Sequence, residues 1–162
     1  MSSTGRRARR RGFTLIEAVV IVVVCAIALP TTLTWLDDAN QRRVDSVNAT
    51  RATALGTCVM EHVLADVASR NASLGFAALA NSNTYLNTAS TGLVARLSSI
   101  TSVYTAMGMS YSVTIGALVD KTGATTGSAG SDVYRVVTVT VTFAGADGTS
   151  RTVNLQSMVT SL

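Results

Sequence analysis

Glu17 is the one charged residue in the apolar run from Phe13 to Leu36. A carboxylate inside a bilayer costs roughly 2.5–3.5 kcal/mol on insertion scales, so its presence there implies a partner charge that neutralises it. Just upstream, Arg6, Arg7, Arg9, Arg10 and Arg11 crowd a short segment that ends at Gly12. Other candidates for chemistry are sparse. The single histidine, His62, could join Glu61 and Asp66 in a metal site, since positions 62 and 66 share a helical face. A packed or solvated helical histidine is the simpler reading. Asp120, Asp132 and Asp147 fall in loops, but their spacing matches no calcium motif. No Ser/His/Asp or Cys/His arrangement can be argued from so few candidates. The expectation is therefore a chain with no catalytic residues, no metal and no cofactor.

The elements around Glu17 begin with the apolar run itself. Residues 13–36 make about 36 Å of helix, enough to span a bilayer. Trp35 suits the far interface, and Pro30 interrupts the hydrogen-bond ladder. Pro30 reads as a tolerated kink in a membrane helix. The arginines hold the leader in the cytoplasm by the positive-inside rule and send the chain beyond the helix outside. A helical pattern continues past the membrane through Val44, Val47, Arg51, Leu55, Cys58, Val59, His62, Val63 and Val67. One helix is expected from about Phe13 to Ser69, ending near Arg70–Ser73, with residues 37–70 as its exposed amphipathic half.

Residues 71–92, rich in Ala, Asn, Ser and Thr, read as a mostly irregular connection. Leu93, Val94, Leu97, Ile100 and Tyr104 have helical spacing. Period two then takes over in three segments: Tyr111–Ala117, Val133–Phe143 and Thr152–Thr160. Ala144–Thr149 closes a hairpin between the last two, and Lys121–Ser131 reads as a mobile Gly/Thr/Ser loop. The fold class expected is α+β: a long N-terminal helix, membrane-spanning in its first half, packed against a small antiparallel sheet of about three strands. The division expected is a leader (1–12), a transmembrane half-helix (13–36), an exposed half-helix (37–70) and a globular head (71–162).

Gly12-Phe13-Thr14-Leu15-Ile16-Glu17, behind a basic leader and ahead of an apolar helix, resembles the N-terminus of type IV pilin-like proteins, the pilins and the pseudopilins of type II secretion. The resemblance implies cleavage between Gly12 and Phe13 by a membrane-embedded prepilin peptidase, followed by methylation of the Phe13 amine. It implies a single-pass protein of the bacterial inner membrane, N-terminus cytoplasmic and head extracytoplasmic. Its expected partners are other pilin or pseudopilin subunits, the inner-membrane assembly platform and lipid. Glu17, four residues from Phe13, would pair with its own amine or a neighbour's. Pro30 would mark the place where filament packing unwinds the helix. The Val133–Leu155 hairpin is similar to the C-terminal end of minor pseudopilin I, which favours a minor subunit. The alternative is a minor pilin whose head captures DNA, a surface or a secreted substrate. An uncleaved signal anchor would share the arginines and the apolar run but would need neither Glu17 nor Gly12-Phe13.

Charge and cysteines narrow the choice. Lys+Arg is 13 and Asp+Glu is 9, but without the five leader arginines the balance is eight against nine. The mature chain is nearly neutral and no nucleic-acid partner is expected. Cys25 and Cys58 lie 33 residues apart on one expected helix, about 50 Å, far beyond disulfide reach. The head is therefore expected to hold by its core, without the disulfide common in pilin heads.

Overall fold

The computed structural model describes residues 13–69, 71 and 73–161. Contacts divide the chain after Asn40. The long helix α1 runs Leu15–Val67. Thr14 caps its start: the Thr14 hydroxyl accepts the Glu17 N–H at 3.3 Å and the Thr14 carbonyl accepts that of Ala18 at 3.1 Å. The chain stays helical through Pro30. The threonines after it place their hydroxyls on α1's own carbonyls: Thr31 and Thr32 on Ala28, Thr34 on Thr31. That leaves few open polar groups on an apolar stretch. Every residue from 13 to 40 is exposed within the chain.

The second unit holds the remainder of α1 and the rest of the fold. Ala52, Leu55, Gly56, Val59, Met60, Val63 and Asp66 form a buried stripe at spacings of three and four. It packs against a three-stranded antiparallel sheet ordered β1-β2-β3, with β1 at Ser110–Val119, β2 at Tyr134–Ala144 and β3 at Ser150–Thr160. The central strand turns Val137, Val139, Val141 and Phe143 inward, all buried. In register, Val113, Val139 and Leu155 lie side by side across the sheet. Each fully buried Leu or Val here stabilises the head by roughly 1.5–3 kcal/mol. Gly56 marks the closest approach of helix and sheet, since a Cβ there would sit 2.6 Å from Leu155 Cδ1.

The α+β architecture is as expected, and several details differ. Val44, Val47 and Arg51 share the helical spacing of the core stripe but are exposed. The apolar pattern carried over from the first half of the helix blurs its phase, and the true core face runs through Ala52 and Gly56, too small to stand out. Residues 71–92 are not simply irregular. They contain a 3₁₀ segment, Phe76–Asn81, and a short helix α2, Ser82–Asn87, which bury Leu79 and Tyr85. Helix α3 spans Leu93–Ala106 and buries Leu93, Leu97 and Thr101. The 121–131 loop is fastened at both ends. Asp120 accepts from the backbone of Thr122 and Ala124, and the buried Asp132 from Thr126 and Gly127.

The β2–β3 hairpin is fixed to α1 as well as to itself. Gly148, at φ +77°, supplies the left-handed turn residue. Asp45 accepts the Ala146 N–H at 2.7 Å and pairs with Arg151 at 2.7 Å. Asn48 donates to the Ala144 carbonyl at 3.4 Å. The helix therefore holds the hairpin tip through partners about a hundred residues away in sequence.

Candidate functional site

Phe13 and Thr14 precede α1 in non-helical backbone, and Phe13 is 67 % exposed. Glu17 falls in the first turn of α1. There the unpaired N–H groups give the helix end a partial positive charge that favours an acid. Thr14 and Glu17 stand as a Thr-x-x-Glu pair at a helix start, the spacing of a capping box. Sequence reasoning missed Thr14 as a functional residue. The signal that could have found it is this spacing immediately before an apolar run. The cap also changes one detail: Phe13 lies outside α1, so Phe13 and Glu17 are not stacked one turn apart on a formed helix. Gly12 and the leader arginines lie outside the described residues. Pro30 is interior to α1.

Helix α1 is long and apolar enough to cross a membrane, and none of its most apolar window is buried within the chain. A core helix of a water-soluble domain would be covered by its own fold. This one has its apolar surface open on all sides, as a helix meant for lipid or for neighbouring helices would.

In the head, the residues weighed for metal binding do other things. Asp66 is buried and accepts three hydrogen bonds, from Tyr85 Oη at 2.7 Å, from Arg96 Nη1 at 2.9 Å and from Arg96 Nη2. It joins α1, α2 and α3 at one point. Burial, reinforced by the bond to Asp66, pushes the Tyr85 phenol well above its ordinary pKa. His62 turns back on its own helix, its Nδ1 2.9 Å from the Cys58 carbonyl and 3.9 Å from Cys58 Sγ. Among the described residues no three His, Cys, Asp or Glu side chains converge to hold an ion. Asp120 and Asp147 each accept from a threonine two residues on, Thr122 and Thr149, and these bonds hold both carboxyls below their usual pKa. Cys25 and Cys58 are both free thiols.

One family model matches the chain. It is described as the prokaryotic N-terminal methylation motif and covers residues 7–29. That stretch is the prepilin signature of type IV pilins and pseudopilins, and it includes Gly12, Phe13, Thr14 and Glu17. No curated protein and no solved structure matches.

Proposed function

We propose, from that signature, that the chain is a structural subunit of a type II secretion or type IV pilus filament, made as a prepilin. Prepilin peptidase cuts between Gly12 and Phe13 and methylates the new amine. Gly12 suits the cut because it resists helix and leaves an open bond. The subunit then rests in the inner membrane through residues 13–36, its head outside. The assembly platform lifts it into the growing filament. Glu17 pairs there with a Phe13 amine, which removes an uncompensated charge from a low-dielectric core. A minor subunit is favoured by the β2–β3 hairpin.

The observation that carries this reading is the union of the methylation motif with an apolar half-helix that none of the described residues covers. The test is cofractionation. Sheared surface filaments, or filaments trapped by cross-linking in the cell envelope, should contain the chain in ladders with other subunits of the same system. A protein confined to the membrane fraction as a monomer, in cells that assemble the filament, would contradict the proposal.

A further inference from the structure

The head carries a cleft of about 610 Å³ between the segment that follows α1, α2 and the loop that leads into α3. Its volume falls in the range of small-molecule sites. Two features of its lining define the ligand that would fit.

The first is charge. Among the residues that line the cleft, Arg96 and Tyr85 alone can ionise. Arg96 is matched by Asp66, and Tyr85 is held in its neutral form. The described lining of the cleft therefore offers no net charge to an anion or a cation. It offers an apolar floor, with Leu74 and Ala78, edged by uncharged hydrogen-bonding groups. Arg96 spends three of its five N–H groups, two on Asp66 and one on the Thr91 carbonyl, which leaves two donors. Asn81, Thr84, Ser90 and Thr91 line the same space, and their side chains have no hydrogen-bond partner among the described residues. Hydroxyls and amides each donate and accept. Interleaved donors and acceptors without charge match a ligand built of hydroxyl groups.

The second is stiffness. Ser90 is held at φ +70°, a left-handed conformation that costs a non-glycine residue energy and that clusters at ligand sites. Gly92 donates to the Thr88 carbonyl at 2.8 Å, and a Cβ on it would lie 2.6 Å from the Leu86 carbonyl oxygen. The 88–92 wall is pressed against the end of α2 with no slack. A preformed wall lowers the ordering cost of binding.

We infer that this cleft binds a short neutral oligosaccharide. This goes beyond the filament role and does not depend on leader processing. The full chain in detergent micelles is titrated with maltotriose, cellotriose and chitotriose, read by saturation-transfer NMR. At least one should bind, with Kd on the order of 1 mM or tighter. Thr84→Trp, which fills the cleft from an exposed site on α2, should weaken it at least tenfold. Ser99→Trp, on the exposed side of α3, should leave it unchanged. Anionic trigalacturonate should bind at least tenfold more weakly than the best neutral sugar. If Thr84→Trp melts below the wild type, Asn81→Trp takes its place. The inference is overturned by no binding of any neutral trisaccharide, by binding that survives the cleft-filling substitution, or by equal binding of trigalacturonate.

Discussion

Glu17 and Asp66 are both acids in costly places, and they are kept for different reasons. Asp66 is satisfied within the chain by Tyr85 and Arg96. Asp66→Asn should destabilise the head by about 2–3 kcal/mol in a urea titration, because Arg96 loses its counter-charge while staying partly buried. The figure is toward the low end because the Arg96 side chain is 27 % exposed. Tyr85 gives the same network a pH signature. Its pKa is raised in the folded chain, so its contribution is complete below pH 10.0, the ordinary value, and is lost as pH rises above it. Tyr85→Phe should cost about 1 kcal/mol at neutral pH and remove that alkaline loss. An unchanged alkaline profile in the variant would detach Tyr85 from it. Among the described residues Glu17 has no side-chain cation beside it, and the proposed partner is a Phe13 amine. Glu17→Ala should therefore be cut and held in the membrane normally but be depleted from filaments, since a neighbour's amine would enter the core unpaired. Equal incorporation of the alanine variant would sink the pairing.

At the scale of elements, the contact between α1 and the sheet depends on one missing side chain. Gly56→Leu should push Leu155 and Val141 aside and destabilise the head by about 1–3 kcal/mol, as overpacking does. A stability equal to wild type would mean that the helix and sheet have room to separate. The strands are legible in sequence because period two is unambiguous in a Thr–Val run such as Val136–Phe143. The start of α1 is legible as an apolar onset, while its cap at Thr14 hides in the motif. The phase of the buried stripe is not legible. Val44 and Val47 carry the apolar pattern of the first half of α1 up to the point where the core face begins, and the core face itself passes through Ala52 and Gly56. Helix α2 is hidden by composition, since only Tyr85 and its neighbour Leu86 stand out among Asn, Ser and Thr. Asp66 can be suspected of chemistry from its place near His62, but its partners lie 19 and 30 residues away. No local spacing encodes such a pairing, and the same holds for the Asp45–Arg151 clasp.

For the whole molecule, the sequence divides labour between an apolar half-helix and a head that closes without covalent help. Both cysteines are free, so reduction should leave the melting temperature of the monomer unchanged. A clear drop on adding reductant would require a disulfide and a different path for the chain. The carboxyls of Asp120 and Asp147 add a mild acid sensitivity. Their pKa values are lowered on folding, so their contributions hold above the ordinary carboxylate value and fade as pH falls through the depressed one.

The central claim is that this chain is a processed prepilin, and the mass of its N-terminus tests it most directly. Protein extracted from membranes of cells with an active prepilin peptidase should begin at Phe13 and carry one added methyl group on its amine. Replacing Gly12 with a bulky residue should leave the leader attached. Wild-type protein that retains residues 1–12 in such cells would contradict the account.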